Sequence, residues 1–486
     1  MVKASIFQVF NHFFKPSVIK TLQIIVKGLV QGVGFRPFVY RLATKLKLTG
    51  WVQNTNENVR ILISGKPSDI SDFLVSLKEE APLASIIEDI SVQETEPEEF
   101  TAFTILHSHD VSDDITEISP DIAVCKECME DIEKEGNRLN YAFVNCTHCG
   151  PRFTIILDLP YDRVKTSMHS FIMCSDCRKE YESILNRRFH AQPIACSRCG
   201  PHYELFVEGE KISGSMDVIL QQVSQCMENG KIVLIKGLGG MHLACDAFNE
   251  AAVEKLRDIK KRDGKPFAVM FRDIETLKQY ATVNKTEEQS LLSWRRPIVL
   301  LAVKNRGDRG MPRNINAGLN LIGAMLPYMP VHYLLFQQLK TPAIVLTSGN
   351  FSSEPILIEN REALTRFSKY ADAIVLHNRD IFNRTDDSVV RVMDGKERIF
   401  RRSRGYVPAP VRTLLNADGI LAFGAELTNC FCIGKGKKIF MSQHIGDLMG
   451  LETTQFYEQT LTQFLQLFRI KPSLLAVDTH PEYIST

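Results

Sequence analysis

Eight of the twelve cysteines fall into four Cys-x2-Cys pairs, the sharpest chemical signal in the chain. Cys125 and Cys128 are followed after seventeen residues by Cys146 and Cys149, and Cys174 and Cys177 after eighteen by Cys196 and Cys199. Four thiolates hold one tetrahedral Zn²⁺ and leave no position open for water, so two structural zinc ions are expected. The spacing leaves open whether each cassette closes on itself or the two exchange pairs. Cys226, Cys245, Cys430 and Cys432 have no evident base partner in sequence and read as core residues.

A second signal is the run Gly28-Leu-Val-Gln-Gly-Val-Gly-Phe-Arg36. Its glycines let the amides of Gly32, Val33, Gly34 and Phe35 converge just ahead of a helix, which makes an anion cradle. Arg36 adds a planar cation able to grip a phosphate in two places and is expected to face it. Asn54, at the end of the strand Gly50–Asn54, offers an amide to orient a water attacking an acyl phosphate.

A third group is spread over a longer stretch. Lys236, Lys260, Arg262 and Lys265 lie near strand ends, where cations can hold a triphosphate. Thr347, Ser348 and Asn350 follow an apolar strand and could meet phosphate or Mg²⁺, with Ser388 and Arg404 as further candidates. No Gly-x4-Gly-Lys-Ser/Thr run exists, so the nucleotide site is not a P-loop.

The elements that must position these residues divide the 486 residues into several units, as expected at roughly 150 residues per domain. Residues 1–19 read as an N-terminal extension. Residues 20–108 read as βαββαβ, a ferredoxin-like split unit, with Phe38, Leu42 and Leu46 making one apolar helix stripe. Residues 121–202 hold all four cysteine pairs and little periodicity, as a metal-organised unit would. Residues 214–410 alternate apolar strands with helices in an α/β pattern. Residues 416–486 open another unit with two strand-like runs and a helical stretch near Thr453–Phe468.

Composition narrows the function classes. Fifty-eight basic against fifty-seven acidic residues give a net charge of +1, which argues against a globally basic nucleic-acid binder. No apolar run approaches the roughly 18 residues that span a bilayer, and the first twenty residues do not read as a secretory signal. The expected compartment is the cytosol, where paired cysteines point to metal.

The loop with Arg36 and Asn54 in a βαββαβ unit resembles the acylphosphatase family, which implies catalytic roles for these two residues. The order of the third group resembles the YrdC-like domain, which condenses a carbamate-type carboxylate with ATP to an acyl adenylate and pyrophosphate. The whole succession resembles the HypF family of hydrogenase-maturation carbamoyltransferases, most specifically at Val30–Phe38, Cys146–Arg152, Arg188–Pro193 and Arg401–Pro408. The inner spacing of the first cassette is one residue shorter than the family usually shows.

The segments Phe423–Asn429 and Ser442–Asp447 resemble the opening of the family's last domain, a TsaD-like (ASKHA-type) carbamoyl transferase. Its His-rich metal motif is not reached before Thr486, so a C-terminally truncated chain is expected, with the final transfer step in question.

The resemblance implies a relay. Carbamoyl phosphate is hydrolysed to carbamate, the carbamate is adenylated by ATP with Mg²⁺, and the carbamoyl group passes to the C-terminal cysteine of a HypE-type acceptor protein as a cyanide precursor. Carbamate decomposes in water, which favours neighbouring sites on one chain. The alternatives are a threonylcarbamoyl-adenylate synthase of tRNA modification, against which the head unit and doubled cysteine unit argue, and a non-catalytic zinc-organised nucleic-acid binder.

Overall fold

The computed structural model describes residues 19–82, 84–108, 117–262, 264–304 and 310–486. The expected N-terminal extension, residues 1–19, lies outside the described residues apart from Ile19. Among the described residues no helix is long and apolar enough to cross a membrane.

The first sheet has the strand order Ile86–Thr95, Lys20–Leu29, Val59–Gly65, Thr49–Asn54, Phe103–Ile105. Alternation in Lys20–Leu29 buries Leu22, Ile24 and Val26, and the antiparallel register sets Ile24 beside Ile61 and Leu22 beside Ile63. Helices Phe35–Lys45 and Pro67–Glu79 supply Val39, Leu42, Phe73 and Leu77 to that core. Of the expected helix stripe, Phe38 and Leu42 are buried and Leu46 is half-buried, because the helix ends at Lys45.

The cysteine unit contains two short helices, Lys126–Glu133 and Ser175–Glu182, each preceded by the first cysteine of its cassette, Cys125 and Cys174. It has little core of its own and packs in two directions. Phe143, Val144 and Met168 join a cluster that runs from the first sheet to Leu205 and Val233, whereas Phe153, Ile156 and Tyr161 join Phe431, Phe440 and Phe464 of the last unit.

The α/β unit is built on a twelve-stranded mixed sheet. Its centre runs Ile298–Val303, Leu321–Met325, Ala268–Phe271, Ala343–Ser348, Met241–Asp246, Val233–Lys236, Ala373–His377. Among the described residues, three of the strand pairs in this sheet are parallel, Ala268–Phe271 with Leu321–Met325, Ile298–Val303 with Val389–Met393, and Ala373–His377 with Val233–Lys236. The sheet also begins ahead of residue 214. Strand Tyr203–Val207 pairs onto Ala373–His377, and Glu210–Ile212 pairs in turn onto Tyr203–Val207 at the sheet edge.

The last unit forms a five-stranded sheet under the helix Leu451–Leu467, and Val411–Arg412 is one of its strands. Strand Leu474–Ala476 leaves Leu474 and Leu475 exposed.

Candidate active and metal sites

The cysteines close within their own cassettes. Sγ–Sγ separations are 3.7 Å for Cys125–Cys146 and Cys146–Cys149 and 3.5 Å for Cys149–Cys128. In the second set they are 3.7 Å for Cys174–Cys196, 3.8 Å for Cys196–Cys199 and 3.6 Å for Cys199–Cys177. A tetrahedron of thiolates at the usual Zn–S distance has edges of about 3.8 Å, so both donor sets fit zinc. Guanidinium groups offset the charge that four thiolates would carry. Arg187 Nη1 donates to Cys128 Sγ at 3.0 Å and Arg138 Nη2 to Cys177 Sγ at 3.5 Å. The exchange of pairs that the spacing allowed is not the arrangement formed.

The glycine loop and the end of strand Thr49–Asn54 meet in one recess, lined by Gln31, Gly32, Gly34, Phe35, Arg36 and Asn54 from the first unit. Gly32 and Gly34 are left-handed, with φ of 71° and 81°. A Cβ on Gly34 would lie 3.2 Å from Thr147 Cβ, so strain and crowding both require glycine there. Among the described residues, the amides of Gly32, Val33, Gly34 and Phe35 donate no hydrogen bond, and the helix begins at Phe35. Free amides at a helix start are what an anion needs. Asn54 is buried, and its Oδ1 has no hydrogen-bond partner.

The cysteine unit forms the other wall, with Thr147, Arg152, Tyr161, His190 and Gln192. None of these was singled out for the site in sequence, although Cys146–Arg152 and Arg188–Pro193 stood out as motifs. Arg152 is fully buried; its Nε donates to the Gly32 carbonyl and its Nη2 to the Thr147 carbonyl at 3.0 Å. The arginine thereby ties the cradle to the metal-organised wall. Burial, together with nearby Arg36, pushes the His190 imidazole down to about 4, so it stands neutral at pH 7.

Arg36 was expected simply to face a phosphate. It lines the recess but is already held, Nη2 donating to Asp162 Oδ1 at 2.9 Å and Nη1 to Ser108 Oγ at 3.1 Å. A buried guanidinium takes whatever acceptors surround it, and the acidic one comes from a unit distant in sequence.

A cleft of about 640 Å³ lies between the α/β unit and the last unit. It gathers Lys260, Arg262, Lys265, Thr347, Ser348 and Asn350. Arg262 Nη1 donates to Thr347 Oγ1 at 3.1 Å, and Ser348 Oγ to Asn350 Oδ1 at 2.8 Å. Lys260 Nζ donates to the carbonyls of Ser348 at 2.7 Å and Asn350 at 2.6 Å. Burial, reinforced by Arg262, pulls the Lys260 ammonium down to about 7. Thr428, Cys430, His444 and Asp447 of the last unit face the same cleft.

Three expected nucleotide residues do not line it. Lys236 is buried, with Nζ donating to Asn360 Oδ1 at 2.7 Å and the His377 carbonyl at 3.2 Å. Ser388 is fully buried, its Oγ donating to the Arg404 carbonyl at 2.9 Å and accepting from the Ser403 amide at 2.8 Å. Arg404 donates through Nε to Asp387 Oδ1 at 2.7 Å and through Nη1 and Nη2 to the carbonyls of Arg295 and Arg296 at 2.9 and 2.8 Å. Its guanidinium carbon stands 3.5 Å from the centre of the Tyr328 ring. With its donors so engaged, Arg404 positions Asp387, which does line the cleft.

An anion cradle against a four-cysteine wall, joined to an α/β unit with a basic cleft, defines a multidomain chain combining an acylphosphatase unit, a doubled cysteine finger and a nucleotide-type α/β unit. The family models match in that order: acylphosphatase at residues 22–105, the HypF finger at 124–156 and 173–206, Sua5/YciO/YrdC (described as telomere recombination) at 225–403, and the HypF Kae1-like domain at 416–486.

The carbamoyltransferase HypF of Rhodobacter capsulatus is 39% identical over 464 residues, covering 95% of this chain and 61% of that protein. The probable carbamoyltransferase HypF of Methanocaldococcus jannaschii is 41% identical over 471 residues, 96% of this chain and 61% of that one. The crystal structure of a full-length HypF in its phosphate- and nucleotide-bound form superposes with a TM-score of 0.92 at 44% identity, over 97% of this chain and 62% of the other. The chain belongs to the HypF family, and it spans about three fifths of the length of these relatives.

Proposed function

We propose that this chain carries out the first two steps of a carbamoyl transfer, hydrolysis of carbamoyl phosphate and ATP-dependent adenylation of the carbamate. The observation that carries the reading is the convergence, in one recess, of Gly32, Gly34 and Phe35, whose amides donate no hydrogen bond among the described residues, with Arg36 and the unpartnered Asn54 Oδ1. The amides of Gly32, Val33, Gly34 and Phe35 hold the phosphoryl oxygens, Arg36 neutralises charge gathering on them, and Asn54 Oδ1 accepts a hydrogen bond from the attacking water. Release of Arg36 from Asp162 accompanies substrate entry.

In the cleft, Lys260, Arg262 and Lys265 face the triphosphate, and Thr347, Ser348 and Asn350 fix its position. A carbamate oxygen attacks the α-phosphorus, the bond to the β-phosphate oxygen breaks, and pyrophosphate leaves with its charge met by these cations. Mg²⁺, arriving with ATP, screens the phosphate charge. The two zinc ions are structural and hold the wall of the first recess. A nucleotide is bound in the full-length HypF structure, which supports the second site.

The further reading follows the family. The carbamoyl group is destined for the C-terminal cysteine of a HypE-type acceptor in cyanide-ligand synthesis, and the protein works in the cytosol, where cysteines stay reduced. We assign the units as residues 20–108, 121–202, 214–410 with strands 203–212 added, and 416–486. The experiment is carbamoyl-phosphate-dependent exchange of labelled pyrophosphate into ATP by this 486-residue chain. Exchange with carbamoyl phosphate and none without it is expected. Absence of exchange with phosphate release intact would remove the adenylating step.

A further inference from the structure

Behind the cleft, three side chains from two distant segments converge. One donor atom from each of His242, Asp386 and Asp387 lies within 4.8 Å of the other two. His242 sits in strand Met241–Asp246, in register with Ile235 on one side and Ser348 on the other, and is 3% exposed. Its Nε2 is buried and makes no hydrogen bond; the nearest acid oxygen, Asp387 Oδ2, is 3.6 Å away. A buried imidazole nitrogen aimed at two carboxylates without bonding either is a donor awaiting an acceptor.

The carboxylates are held from behind. Arg404 Nε fixes Asp387 Oδ1 at 2.7 Å, and Arg401 Nη1 fixes Asp386 Oδ2 at 3.0 Å. An ionised carboxylate offers about four lone-pair sites, so each retains capacity toward the centre of the triad. Adjacent ligands of a small octahedral divalent ion stand about 3 Å apart and opposite ones about 4.2 Å, so His242 Nε2 and Asp387 Oδ2, at 3.6 Å, need to close in by about half an ångström, and Asp386, within 4.8 Å of both, moves inward further. Asp386 and Asp387 line the cleft beside Ser348 and Arg262, which gives an ion a way in and sets it next to whatever phosphate those residues hold.

We propose that His242, Asp386 and Asp387 form a divalent-cation site selective for Mn²⁺ over Mg²⁺. Imidazole is a good ligand for the later divalent metals and a poor one for Mg²⁺, which prefers oxygen and keeps its water. Two carboxylates backed by two guanidinium groups leave the triad close to neutral. The resident ion is therefore modestly held when alone and gains when a triphosphate adds its charge. What the ion meets in the cleft rests on the reading above; its ligands do not.

The test uses the zinc-loaded 486-residue chain and Mn²⁺ alone, followed by electron paramagnetic resonance. One saturable Mn²⁺ per chain is expected, with the ¹⁴N modulation of a directly bound imidazole in the echo-envelope spectrum. His242→Gln should abolish that modulation and bring the apparent Mg²⁺ and Mn²⁺ affinities together. Asp386→Asn should weaken Mn²⁺ binding at least tenfold while the nitrogen signal of the remaining bound ion persists. Zinc content and thermal melting confirm that each variant folds. Bound Mn²⁺ without nitrogen modulation, a signal surviving His242→Gln, unchanged affinity in Asp386→Asn, or Mg²⁺ competing on equal terms would each overturn the assignment. Binding of a fluorescent ATP analogue is measured alongside. Its failure with the Mn²⁺ signal intact would sink the nucleotide reading of the cleft and leave the cation site standing.

Discussion

Arg152, in the cysteine unit, donates from Nε to the carbonyl of Gly32 in the first unit and from Nη2 to the carbonyl of Thr147, so one buried guanidinium clasps the anion cradle to the wall built beside Cys146 and Cys149. The first site is thus shared between two units, and its shape depends on both.

Arg152→Lys is expected to lower acyl-phosphate hydrolysis by about 10- to 100-fold while both zinc ions stay bound. An ammonium cannot bond two carbonyls at the angles of a planar fork, and the loss of one charge-assisted hydrogen bond is about 1.5–3 kcal/mol. Steady-state hydrolysis of benzoyl phosphate with elemental analysis of the same sample checks it. Unchanged kcat/KM would separate the clasp from the cradle.

Arg36→Ala and Asn54→Ala should each cost about 2–4 kcal/mol of transition-state binding, or roughly 30- to 1,000-fold in rate. Asp162→Asn tests the same site from the opposite direction. It removes the carboxylate that occupies Arg36, so inhibition by inorganic phosphate should tighten several-fold. Weaker phosphate inhibition in this variant would show that Asp162 supports the arginine and does not compete for it.

Nucleotide binding should fall as pH rises above 7. Free Lys260 gives up its proton near 7, because burial and Arg262 disfavour the ammonium, whereas a triphosphate beside it favours the charged form. Above pH 7 binding must take up a proton, so affinity declines by up to tenfold per pH unit, and calorimetry in buffers of different ionisation enthalpy should show the uptake. Lys260→Met should flatten the dependence. The same shift acts on stability in the reverse sense. Between about 7 and the ordinary lysine range the unfolded chain binds the extra proton, so this residue's contribution to stability rises with pH there.

Purified chain should carry two zinc ions, one per cassette, because the thiols close within their own sets. Cys174→Ser should leave one, and Cys146→Ser should leave one while also loosening the recess beside Thr147. Recovery of two zinc ions from either variant, or loss of both from Cys174→Ser, would contradict independent sites.

The sequence by itself determined the donors and their local geometry. Four Cys-x2-Cys pairs, the Gly32–Phe35 loop ahead of its helix, and Thr347–Asn350 after a strand are set by neighbours along the chain, so spacing and periodicity expose them. Tertiary structure decided which way the long side chains turn. Lys236, Ser388 and Arg404 carry the right chemistry for a nucleotide, yet enclosed by sheet and loop they bond to Asn360, Ser403, Asp387 and backbone carbonyls. Asp162 and Arg152 reach the first site, and His242 reaches Asp387, only because separate segments pack together. A buried polar group must satisfy itself with whatever the fold brings within about 3 Å, and no local pattern records which partner that will be.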